Sequence, residues 1–271
     1  MTAFATHFGY EFRTGIRNRG LLLLNYLFPL AFYLMLGFVM TAINPLFRDA
    51  LLPAMVIFAI YTAAILGLPD PLVQAREAGI FRSYHINGVP RANLLLIPAL
   101  TTALHLVIVA VIIAVTAPLL FDAPTPVNWL NFVLVFAATL LACAGLGVLI
   151  GVVSPNSRST ILFSQLLFLP SMLIGGLMLP YSMLPPIARM AAQLLPSTHA
   201  MNAFKGLAMG QTADFSPWGS LLVLLSGGLL AFALAILLFR WDSHHSQRRL
   251  PAAAALLALA PYVIGLLVFG R

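Results

Sequence analysis

An all-α integral membrane fold is predicted for this 271-residue chain by three observations. Hydrophobic residues make up 61% of it and charged residues only 8%, with a mean hydropathy of +1.00; a soluble domain has roughly a quarter of its residues charged. Seven apolar runs approach or exceed the ~20 residues needed to cross a bilayer. Between the second and third of them, Asp70 to Asn93 (DPLVQAREAGIFRSYHINGVPRAN) is too polar for hydrocarbon and must face water.

At the start of the chain, Phe4, Phe8 and Phe12 recur at a spacing of four, while Arg13 and Arg17 project to roughly the opposite side of a helix. This pattern predicts an amphipathic helix over residues 1–20 lying on the membrane surface, the alternative being a polar lead-in to the first span. The spans then follow at Leu21 to Ile43, Ala50 to Leu68, Leu94 to Leu120, Trp129 to Val153, Ser159 to Leu179, Gly219 to Phe239 and Ala252 to Phe269. Because the first run continues to about Ile43 without a small-residue cleavage site, it reads as an anchor rather than a signal peptide. Within the polar interruption, Val73 to His85 contains no proline and mixes charged with apolar side chains, which predicts a short helix with one wet and one sticky face. Gly147 and Gly151 in the fourth span have the four-residue spacing that lets helix backbones approach, either inside the monomer or across a dimer seam.

Between the fifth and sixth spans, Pro180 to Pro217 holds two helix-like pieces, Leu184 to Leu195 and Thr198 to Met209, that are too short to cross. Each is introduced by proline or a Ser/Thr cap signal. They are expected to dip into the outer leaflet as a re-entrant hairpin, surrounded by protein or by a water-filled cavity. With the N-terminus inside, only Arg48, Arg189, Lys205 and Arg271 of the 14 basic residues fall outside, so the positive-inside rule favours a cytoplasmic N-terminus and a cytoplasmic Asp70 to Asn93 loop.

Several chemistries are missing. The formal charge of +7 is scattered around apolar runs instead of forming one basic face, so nucleic acid is not an expected partner. No Gly-rich phosphate loop ends in Gly-Lys-Ser/Thr, and the only lysine, Lys205, lies in Phe-Lys-Gly. The seven carboxylates are dispersed and none sits in the interior of a span, which disfavours a membrane-embedded enzyme. No metal site is expected: His244 and His245 are adjacent, diverge by about 100 degrees on a helix, and read as a solvated linker. The single cysteine, Cys143, lies in an apolar run and reads as a small core residue. His105, inside the third span, is either a functional group or a neutral histidine bonded within the bundle. Ser164 and Gln165 in the fifth span either line a path or bond to neighbouring helices.

Two stretches resemble the membrane subunits of type-2 ABC exporters. Arg76-Glu77-Ala-Gly79-Ile-Phe-Arg82 followed by Gly88-Val-Pro90-Arg91 is similar to the family's cytoplasmic coupling segment. Pro170, Gly175-Gly176, Pro180, Leu184-Pro185, Pro196, Lys205 and Gly210 are similar to its fifth span breaking into an external hairpin. The resemblance covers roughly Met1 to Phe239. It implies a six-span permease domain over residues 21–239, with a coupling loop at 70–93 and a re-entrant hairpin at 180–217. A second permease subunit, identical or not, and two separate ABC ATPase subunits carrying ATP and Mg would complete the transporter in a prokaryotic plasma (inner) membrane. Carried over by position, Arg76, Glu77, Gly79 and Arg82 belong to the ATPase contact, with Ile80, Phe81 and Tyr84 as its apolar plug. Gly175, Gly176, Pro180, Pro185, Pro196 and Lys205 belong to the hairpin.

Two features depart from the family pattern. Residues 240–271 supply a linker and a seventh span, and Lys205 replaces the more usual arginine, keeping the charge but not the fork geometry. The expected function is export of a hydrophobic or amphiphilic small molecule such as a drug, antibiotic or lipid. Glycan export is an alternative within the class, and an ATP-independent channel or assembly scaffold is an alternative outside it.

Overall fold

The computed structural model describes residues 3–44, 47–241 and 251–269. Pro45, the linker histidines His244 and His245, and the basic residues Arg248, Arg249 and Arg271 lie outside the described residues. Eleven helices organise the described chain. They are α1 (Ala3–Arg17), α2 (Arg19–Ile43), α3 (Phe47–Glu77), α4 (Ile80–Ile86), α5 (Arg91–Phe121), α6 (Trp129–Val153), α7 (Ser157–Ile174), α8 (Pro186–Ala192), α9 (Pro196–Ala203), α10 (Pro217–Leu238) and α11 (Ala252–Phe269). Seven of them, α2, α3, α5, α6, α7, α10 and α11, are long and apolar enough to cross a membrane.

The middle of the bundle is held by α3. Its apolar window is 94% buried, against 28% for α2 and for α7. Around it stand α2, α5, α6, α7 and α9. Both α2 and α3 contain a π turn, at Leu23–Leu27 and Thr62–Gly67, and the two turns pack against each other. Asn18 separates α1 from α2 by accepting hydrogen bonds from the Gly20 and Leu21 amides at 2.9 and 3.2 Å, satisfying donors that a helix start leaves open.

Small residues set the closest approaches. A Cβ on Gly145 would lie 2.7 Å from the Gly228 carbonyl oxygen, so α6 and α10 meet backbone to backbone. A Cβ on Gly147 would overlap the Ala64 carbonyl oxygen, and one on Gly151 would lie 2.9 Å from that of Pro69. The glycine spacing left open by the sequence is therefore a seam between α6 and α3 of the same chain, and that face is not free for a dimer. Cys143 is buried in the same helix.

Three elements differ from the sequence expectation. The second span does not stop near Leu68 but runs to Glu77, and the helix expected over Val73 to His85 is broken. Gly79 adopts φ +73°, a left-handed conformation that ends one helix and lets α4 begin. The fifth span ends at Ile174 instead of Leu179, because Gly175 and then Gly176, at φ +87°, turn the chain away.

The seventh helix docks along α10. Tyr262 is fully buried over Gly227, where a Cβ would lie 2.7 Å from its hydroxyl, and Phe269 covers Gly219. Gly227→Leu is expected to detach α11 while leaving the other six spans assembled. Hydrogen–deuterium exchange in detergent checks this: the α11 amides should exchange much faster in the variant, while those of α3 and α6 stay at parental values.

Candidate functional site

Two regions carry the polar architecture. The first is the bundle end that bears α1 and α4. There Arg76, only 6% exposed, reaches from α3 across to the end of α6. Its Nη1 donates to the carbonyls of Val152 at 2.9 Å and Gly151 at 3.3 Å, and its Nη2 donates to that of Ser154. These are last-turn and cap carbonyls, which have no partner inside their own helix and attract a cation. Arg76, assigned from sequence to a partner contact, is thus an internal side chain.

One turn further on, the faces of α4 separate. Phe81 is turned inward, 5% exposed, with its ring 5.3 Å from Phe239. The sequence had placed it in an outward apolar plug; the restart of the helix after Gly79 rotates it to the other side. Tyr84 is half-buried beside His7 of α1, at 5.6 Å between rings, and His85 lies 4.4 Å from Trp241. Burial, then the nearby Glu11 carboxylate and Tyr10, raises the Tyr84 phenol above its ordinary range. Glu77, Gly79, Ile80 and Arg82 remain exposed. Phe81→Ala should cost about 3 kcal/mol, as for other buried phenylalanines. A lowered thermal midpoint in detergent checks this; an unchanged midpoint would contradict the inward placement.

The N-terminal helix also turns partly inward. Phe12 stacks on His105 at 4.3 Å and 9°, Gly15 rides over the imidazole, and His105 Nδ1 shares a 2.7 Å hydrogen bond with the Tyr26 hydroxyl. His105 is therefore bonded within the bundle. Phe8 is half-buried, while Arg13 and Arg17 are exposed; Phe4 lies on α1 with its side chain outside the description. A cavity of about 300 Å³ between α1, α3, α4 and α5 is lined by His7, Glu11, Tyr84, Thr101 and His105 among others.

The second region is the segment between α7 and α10. Pro180 leads into a single 3-10 turn at Tyr181–Met183, Pro185 precedes α8, and Pro196 opens α9. The start of α9 is pinned to the central helix: Ser197 N–H donates to the Tyr61 hydroxyl at 2.8 Å, and Ser171 Oγ donates to the same oxygen at 3.2 Å. Gly175 leaves room for this, since a Cβ there would overlap Ser197 Oγ. Tyr61 is 14 residues along α3 from Phe47, so the segment reaches about 21 Å down that helix. Thr198 Oγ1 and His199 Nε2 bond the carbonyls of Ala192 and Gln193, at 2.6 and 2.8 Å, closing the turn between α8 and α9. Lys205 is held 3.5 Å from Asp214. Ser164 is buried, with no hydrogen-bond partner among the described residues, and Gln165 is half-buried.

Against this geometry, the family model described as "ABC-2 type transporter" matches residues 2–209. The chain belongs to the ABC-2 type transporter family. It is also 24% identical over 229 residues to YvfS of Bacillus subtilis (strain 168), provisionally named a transport permease, covering 83% of this chain and 92% of that one. No solved structure matches it. As an ABC-2 permease it is a multi-pass membrane protein and a transport subunit. Membrane domains of this family generally work with ATPase subunits. The α1–α4 end and the α8–α9 segment both fall within the matched residues, whereas α10 and α11 lie beyond them. Tyr61, Ser197 and the carbonyl partners of Arg76 are functional candidates that sequence reasoning missed. A lone tyrosine in an apolar run was the only signal, and nothing local links it to a serine 136 residues away.

Proposed function

We propose that this ABC-2 permease is the membrane half of an ATP-driven exporter, with ATP and Mg bound by separate ATPase subunits that dock on the exposed face of α4. The observation that carries the reading is the division of α4 into two faces. Phe81 and Tyr84 fasten it to the bundle, while Ile80 and Arg82, with Glu77 at the end of α3, stay exposed, and only Ala78 and Gly79 separate α4 from the central helix. A surface helix joined so directly to the bundle centre is suited to receive a push. The excess of basic residues on this end favours a cytoplasmic placement, with the N-terminus inside a prokaryotic plasma membrane. The α8–α9 segment then forms an external re-entrant hairpin.

A second permease subunit, identical or not, completes the path; the sparsely covered faces of α2 and α7 are where it or lipid can be met. Spans poor in charge suit a hydrophobic or amphiphilic cargo such as a drug, antibiotic or lipid. Purification from the native membrane in mild detergent should recover a nucleotide-binding subunit in stoichiometric amount. Arg82→Glu combined with Ile80→Asp should weaken that association by about 30-fold, the loss of roughly 2 kcal/mol at an anchor, while leaving the permease folded. Full association in the double variant removes α4 as the docking face. Recovery of the permease alone, with transport in ATP-free vesicles, replaces the exporter with a channel.

A further inference from the structure

We propose that Arg76 is the transmission clamp of the permease, a positioning residue that makes α4, the lower part of α3 and the α6–α7 corner move as one body. The proposal rests on the coupling reading above and adds the route by which a push on α4 reaches the hairpin.

Four observations carry it. Arg76 is two residues before the Ala78–Gly79 break, so it is the last buried charged side chain before the exposed helix, and its guanidinium spans three carbonyls at the end of α6. A lysine could reach those carbonyls only as a point charge; the planar fork is what fixes orientation as well as distance. Beside the clamp, Gly151 holds the α6 backbone against Pro69, and one turn further up Gly147 holds it against Ala64, so the two helices cannot slide freely past each other. Beyond Ser154, itself buried, α7 starts within three residues, with Asn156 capping it through the Ser159 amide at 2.9 Å.

The far end of α7 is where Ser171 and Ser197 share the Tyr61 hydroxyl. A displacement of α4 is thus delivered through α6 and α7 to the start of the hairpin.

The test uses the assembled complex of permease and ATPase in lipid nanodiscs. Hydrogen–deuterium exchange of residues 176–209 is followed without nucleotide and after trapping with ATP and vanadate. The native chain should show a nucleotide-dependent change in the hairpin. Arg76→Gln and Arg76→Lys should bind the ATPase and hydrolyse ATP within about twofold of the parent, yet reduce that change by about fivefold or more, the range expected when two sites lose coupling. A clamp that is merely structural raises exchange at the end of α6 equally with and without nucleotide, and leaves the hairpin response intact. A full hairpin response in both variants overturns the proposal and leaves the coupling reading standing. No ATPase binding by the native complex, or no nucleotide response anywhere in it, removes the coupling reading and the clamp together.

Should neither Arg76 variant fold, spin labels on the exposed Ile86 and Arg158 of the otherwise native chain decide the matter. Their separation should stay constant on nucleotide trapping, and a changed separation overturns the clamp.

Discussion

Gly147→Leu is expected to leave almost no folded permease. The position faces the carbonyl of Ala64 in the π turn of α3, and the first side-chain atom would already occupy the space of that oxygen. Neither side can yield cheaply. The obstacle is backbone rather than a flexible side chain, α3 is buried on all sides, and α6 is held from behind by the Gly145–Gly228 contact. Overpacking a well-filled core costs about 1–3 kcal/mol when side chains can adjust, and a leucine driven into backbone belongs at or above the top of that range. Fluorescence-detected gel filtration of solubilised membranes is the direct measurement. A monodisperse peak at parental height would contradict the seam. Leucine at Val133, 59% exposed on the same helix, serves as the control and should behave as the parent.

Tyr61→Phe should release the hairpin without dismantling the bundle. The ring keeps its packing, but the amide of Ser197 and the hydroxyl of Ser171 lose their common acceptor. A buried donor left unpaired costs about 1–3 kcal/mol, and that cost falls on the hydrogen bond that ties the start of α9 to α3. Exchange of the α9 amides should accelerate by roughly tenfold or more, since each 1.4 kcal/mol is a factor of ten. Exchange in α3 and α6 should stay near parental values. Equal acceleration throughout the bundle would mean that Tyr61 supports the fold at large; no acceleration in α9 would mean that the hairpin is held elsewhere.

Much of this fold was legible because hydrocarbon imposes a coarse rule on sequence. A run such as Trp129 to Val153 has to be a helix of spanning length, and the observed α6 has the same limits. The proline positions that introduce α8 and α9 were legible too, since a first-turn amide has no partner inside the helix and proline gives up nothing by lacking one. What failed was orientation. The resemblance to the family places Phe81 with Ile80 and Tyr84 in an outward plug, on a helix expected to run unbroken from Val73 to His85; a left-handed Gly79 resets the phase, and a single glycine does not announce whether it will do so.

Arg76 failed differently. A charged residue amid other charged residues reads as solvated, and only the tertiary fold brings it the bare carbonyls of a helix end some 75 residues away. Its role, like that of Tyr61, depends on pairing across the bundle, and periodicity carries no information about such pairs.

The unequal lengths of the helices have a consequence for the surrounding lipid. The partly exposed α5, with 31 residues, is about 46 Å long, whereas α7, with 18, is about 27 Å long, a few Å short of a typical hydrocarbon core of about 30 Å. Because α7 is among the least covered helices, the bilayer beside it meets a low wall where α5 offers a tall one. Lipids there must thin, or the protein must tilt, at a fraction of a kcal/mol per Å. Acyl-chain length is thereby linked to the stretch of protein where α7 gives way to the hairpin, so the membrane's own thickness biases the position of that junction.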